Sequence, residues 1–161
     1  MTPPNARTLL AGAALVGLIF GGWACVQGPD LTNLEGTWDC KSEWTWDKDG
    51  EAVPCSAVWT VTSKDHKTTS TGIVSLGAAQ WDETIEGIGR ASGYDLHHTR
   101  TAHKATPRND AARDFERDLL DGRSLGTLGA QGPSHMRIIT LTDTDLVVIN
   151  EEERTITCKR P

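Results

Sequence analysis

From Gly36 to Trp46 the chain alternates strictly. Trp38, Cys40, Ser42, Trp44 and Trp46 fall on one face, and Thr37, Asp39, Lys41, Glu43 and Thr45 on the other. A period of two with one aromatic and one polar face belongs to a half-buried antiparallel strand. Asp47-Lys48-Asp49-Gly50 is a hairpin turn, and the return strand puts Cys55, Ala57, Trp59 and Val61 on one face. Pro54 cannot donate to a ladder, so the start of that strand reads as edge-like or bulged. Ser63 to His66 turn the chain into a threonine-rich strand ending at Leu76. Further strands are expected from Trp81 to about Arg90 and from Ser92 to Thr101. The period then changes: Asn109 or Asp110 caps a helix whose Ala111, Ala112, Phe115, Leu119 and Leu120 recur at helical spacing up to Gly122. After a glycine-rich loop, alternation returns in Met136, Ile138 and Thr140, followed by an apolar run from Leu146 to Asn150 and a last strand carrying Ile156 and Cys158. The expectation is an all-β antiparallel fold of about eight strands with one short helix, as a sandwich or an up-and-down barrel.

The 161-residue chain has room for one domain, and its net charge of −6 argues against a partner recognised through phosphate neutralisation, so no nucleic acid is expected. Its first stretch stands apart. Arg7 is the only charged side chain before Asp30, and it precedes an apolar run from Leu9 to Phe20. One basic charge, a short apolar core and small residues before Cys25 describe a secretory leader, with an uncleaved anchor as the alternative. Gly21-Gly22-Trp23-Ala24-Cys25 resembles the cleavage box of bacterial lipoproteins, in which the cysteine carries the lipid. That resemblance implies lipid attachment at Cys25, and ordinary cleavage after Ala24 is the competing reading. Residues 1–24 are thus read as signal peptide or anchor, 25–33 as a tether, and 34–161 as the folded domain. The expected place is outside the cytosol, in a bacterial cell envelope and held at a membrane. In a Gram-negative cell the lipoprotein resemblance, with Val26 after the cysteine, implies the outer membrane.

Leu34-Glu35-Gly36-Thr37-Trp38 opens the first strand with Gly-x-Trp, and in this it resembles the lipocalins and other calycins. The resemblance implies an eight-stranded barrel in which Trp38 closes one end under a basic side chain from the last strand, here Arg160 or Lys159. Gly36, Trp38 and Arg160 are the closure residues carried over from it. In such a barrel the first and last strands are neighbours, which makes a Cys40–Cys158 disulfide reasonable. A Cys40–Cys55 bridge across the first hairpin is the rival, and under the first pairing Cys55 is a buried thiol or an intermolecular partner.

No catalytic constellation emerges, so no enzyme is expected, nor any cofactor. His97 and His103 share a parity, yet six residues along a strand separate them by about 20 Å, so no metal site is expected. Asp82, Glu83 and Glu86 lack a partner of defined spacing. The tryptophans carry the functional expectation. Trp44, Trp46 and Trp59 are candidates to line a cavity for a small apolar ligand, against a reading in which they simply fill the core. The alternative function is a structural or protein-interaction role for a filled barrel.

Overall fold

The computed structural model describes residues 30–128 and 133–161. The leader, Cys25 and the first part of the tether lie outside the described residues. Eight strands follow in order: β1 (Gly36–Lys48), β2 (Glu51–Lys64), β3 (Lys67–Leu76), β4 (Ala79–Ser92), β5 (Asp95–Pro107), β6 (Pro133–Leu141), β7 (Asp145–Asn150) and β8 (Thr155–Lys159). Each pairs antiparallel with the next, and β8 returns to β1, with Cys40 opposite Cys158, so the sheet closes into an up-and-down barrel. Of the two architectures the alternation allowed, the barrel is the one adopted. β4 and β5 outrun their expected limits, since β5 continues six residues past Thr101 to Pro107. Pro54 sits opposite Thr45 of β1, one residue before the pairing of β2 with β3 begins at Cys55, where its missing N–H breaks no ladder.

One end of the barrel is sealed by the closure trio. Trp38 is 2% exposed and donates its indole N–H to the Leu34 carbonyl. The Arg160 guanidinium lies 4.4 Å from the centroid of the Trp38 ring and donates to the carbonyls of Asn33 and Glu35. Such a stack contributes about 0.5–2 kcal/mol where water is excluded. Gly36 permits it twice over: its φ of +110° is open to glycine, and a Cβ there would lie 2.7 Å from an Arg160 nitrogen. Residues 31–34, most of them read from sequence as tether, form a 3-10 turn whose Leu31 and Leu34 pack on a cluster of Trp38, Ile138, Leu146, Val148 and the disulfide.

The other end is covered by α1 (Asp110–Leu119), capped by the Asn109 side chain, which accepts from the Ala112 N–H. Its apolar face places Ala112 and Phe115 against Ala57, Val74, Ala79 and Trp81. Phe115 meets Trp81 edge-on at 5.3 Å and Trp46 at 6.0 Å, so one helical side chain joins β1 to β4. Glu116 accepts from the Trp81 indole N–H and from the Leu125 N–H, tying α1 to the single turn α2 (Leu125–Leu128).

Two bulges break the alternation. In β6 the register shifts between Ile138 and Thr140, so Thr140, expected on the inner face with Met136 and Ile138, is exposed. In β5 Thr101 is the extra residue: Gly87 faces Arg100 while Glu86 faces Ala102. Beyond it the parity inverts, with consequences for the interior.

Candidate functional site

Strict alternation would put His103 on the same face as His97. The bulge at Thr101 overturns this: Leu96, His98, Arg100, His103 and Ala105 all face the interior, while His97, Thr101, Ala102 and Lys104 are exposed. His97 instead lies outside beside His135, 4.9 Å between ring centroids, and His135 bonds Asp95. The two histidines weighed as a metal pair therefore stand on opposite faces of the wall.

The middle tier of the barrel is polar. His103 and Glu83 side chains are 8% and 11% exposed, and the His103 Nε2 lies 2.7 Å from Glu83 Oε1. The Trp59 indole N–H donates to Glu83 Oε2 at 3.2 Å, and Arg100 Nη1 lies 3.3 Å from His103 Nδ1. Because a guanidinium only donates, His103 Nδ1 must accept; the ring proton then sits on Nε2 and is given to Glu83. His103 thus links the Arg100 cation to the Glu83 carboxylate, and both carboxylate oxygens and both imidazole nitrogens are occupied. Such a network confers order only when every member is satisfied.

Glycines make room for these crossings. Gly72 stands between Trp59 and Glu83 in the β2–β3–β4 register, so no side chain lies under the indole as it reaches Glu83. A Cβ at Gly87 would fall on the His98 imidazole, which passes over that position to reach Thr68 Oγ1 at 2.8 Å. Burial, and second the charge of Arg100, hold His98 below its ordinary pKa, so it is neutral at pH 7.

The tryptophans separate by role. Trp38 and Trp81 are core, at 2% and 0% exposure. Trp59 is half-buried, packs against both apolar clusters and anchors the polar tier. Trp46 stands at the rim, its ring on Phe115. Trp44 alone of the three ligand candidates lines an open cleft of about 520 Å³, which it shares with polar Glu43, Thr45, Ser56 and Ser75 as well as Pro54 and Cys55. Arg154 lies over the Trp44 ring at 4.7 Å and is itself paired with Glu152, while Cys55 is a buried free thiol whose Sγ faces the Val53 carbonyl. Glu83 was legible from its parity with Trp81. The inward turn of His98, Arg100 and His103 was not, and its one signal was the pair Gly87 and Gly89 inside a strand.

No known protein family matches the chain, and no curated protein does. Among solved structures, a lipocalin-like protein from Bacteroides uniformis is similar over 80% of this chain and 99% of its own length, with 12% identity and a TM-score of 0.44. The barrel assignment rests on the strand pairing described above.

Proposed function

We propose that this protein is an exported, membrane-tethered barrel that binds a small apolar ligand at its aromatic rim. The observation that carries the reading is the distribution of indoles. Trp38 and Trp81 are consumed by the core, whereas Trp44 is left half-buried on an open cleft of about 520 Å³. That volume is within the usual range for small-molecule sites, roughly 300–1,000 Å³. A binder is favoured over a catalyst, because the one buried acid–base pair among the described residues, Glu83 and His103, is committed on both sides to Trp59 and Arg100. Export and lipid attachment at Cys25 follow from the leader and its cleavage box, and a disulfide suits an oxidising compartment.

Two experiments test this. Tryptophan fluorescence of the full chain, titrated with lipids, retinoids and aromatic compounds, should respond saturably to at least one class. Trp44→Ala should weaken that response about tenfold, or 1.4 kcal/mol. In cells fed labelled palmitate the wild type should take up label and Cys25→Ser should not; an unlabelled wild type removes the lipid tether.

A second reading, a filled structural barrel acting through its surface, is favoured by the full burial of Trp38, Trp81 and Ile138 and by the packing of both ends. A fluorescence signal indifferent to every compound would decide for it.

A further inference from the structure

We propose that His97 and His135 form a two-imidazole site for a divalent transition-metal ion on the outer wall of the barrel, with Asp95 fixing one of the two rings. The partner that sequence offered His97 on its own strand, His103, is turned inward by the β5 bulge, and the sheet supplies another from β6. His97 and His135 stand directly opposite each other in the β5–β6 ladder. The bonding at the end of that ladder decides what kind of pair they form. The Ile138 N–H donates to the Tyr94 carbonyl, so 94 and 138 make a hydrogen-bonded rung. Rungs alternate in an antiparallel pair, and three residues on, 97 and 135 fall at a non-hydrogen-bonded one. There the Cα atoms are about 4.5 Å apart and side chains on one face lie closest.

The two rings are spaced as a chelate requires. Metal–imidazole bonds of about 2.0–2.1 Å put two ring centroids roughly 4.5–5.2 Å apart, for ligands between a right angle and a tetrahedral angle on one ion. The His97 and His135 centroids are 4.9 Å apart, with the rings tilted by 40° and not stacked flat. The proton on His135 is placed as well. Its Nε2 lies 2.9 Å from Asp95 Oδ1, and a carboxylate only accepts, so Nε2 donates and Nδ1 of the neutral ring keeps its lone pair. A carboxylate behind a ligating histidine is the usual device for fixing its tautomer and orientation. Among the described residues the exposed His97 ring has no hydrogen-bond partner that would occupy its nitrogens. The His135 and Asp95 side chains are 40% and 54% exposed, so an ion reaches the pair from solvent. No set of three or more His, Cys, Asp or Glu side chains among the described residues encloses an ion, so water completes the coordination. Arg90 opposite His97 and Arg137 opposite Asp95 oppose a cation and limit the affinity. Imidazole ligands select zinc, nickel or copper over magnesium and calcium.

The test is a titration of the isotope-labelled full chain with zinc chloride at neutral pH, read in long-range 1H–15N spectra of the histidine rings. His97 and His135 should shift together and saturate at one ion per chain. His66, an exposed ring in the β2–β3 turn, and the inward His103 should hold still. Magnesium chloride at the same concentration should move neither ring of the pair. His97→Gln and His135→Gln should each weaken zinc binding at least tenfold, and Asp95→Ala, which keeps both ligands, about tenfold. Trp44→Ala should leave zinc binding intact, which separates failure here from failure of the rim reading. A pair that does not respond to zinc, a response confined to one of the two rings, an equal response to magnesium, or unchanged affinity in any of the three variants of the site overturns the proposal.

Discussion

Replacing Cys40 and Cys158 together with serine should lower the stability of the folded chain by about 4–5 kcal/mol, read as a lower urea midpoint, with a steeper slope because the unbridged unfolded chain is more expanded. The two cysteines are 118 residues apart in sequence, so their bond closes almost the whole domain into one loop. In the chain-entropy account a link of that span restricts the unfolded ensemble strongly, and its loss costs more than a bridge across the first hairpin would. Cys40 and Cys158 are direct partners in the β1–β8 ladder. That ladder is only four residue pairs long, Asp39–Ser42 against Ile156–Lys159. The covalent link therefore reinforces the shortest seam in the barrel. The unbridged protein should still close, held by Arg160 on Trp38, but unfold at lower denaturant. An equal midpoint for the two proteins would show that the seam is secured without the bond.

Trp81→Ala should destabilise by about 3–5 kcal/mol, the usual cost of emptying a large aromatic site. Trp81 has no exposed surface, meets Phe115 edge-on, and donates its N–H to Glu116. Its loss leaves a cavity at the end covered by α1 and frees an acceptor that also holds the Leu125 N–H. Trp81→Phe separates the two contributions. It keeps most of the ring contact and gives up the hydrogen bond to a carboxylate, so it should cost about 1.5–3 kcal/mol from that bond, less whatever the smaller ring recovers by repacking. Hydrogen exchange of the α1 amides should rise in both variants and most in Trp81→Ala, since α1 holds to the barrel through this contact. An Ala variant whose helix stays as protected as in the wild type would remove Trp81 from that role.

What the sequence made legible follows its periodicities. β1 and β2 alternate without interruption, so their inner residues, including both members of the Trp44–Cys55 pair, could be placed from pattern alone. The Asn109 cap and the Phe115 face of α1 were readable for the same reason: helical spacing and a capping side chain are local features. The closure of the sheet was not local. It came from the resemblance of Gly36 and Trp38, and the Cys40–Cys158 bridge was left beside a rival until the β1–β8 register placed the two cysteines opposite each other. Where the pattern misled was β5. A single extra residue, Thr101, inverts every later position, and nothing about threonine announces a bulge. The cue lay on the neighbouring strand in Gly87 and Gly89, whose missing side chains permit both the kink and the passage of His98. The inward parity of Trp59 was clear, yet only the neighbouring Gly72 and Glu83 reveal that its N–H reaches the polar tier.

The polar tier depends on one bulge, which rotates His103 into the barrel to stand between Arg100 and Glu83. Long-range 1H–15N spectra of the histidine rings in the full chain, at neutral pH, test it most directly, because they report which imidazole nitrogen carries the proton. His103 should appear as the single Nε2–H tautomer, with its ring proton slow to exchange with solvent and its signals altered by Glu83→Gln. A His103 that averages between tautomers and exchanges freely, as an outward-facing ring such as His97 would, contradicts the inward turn of β5 and everything built on it.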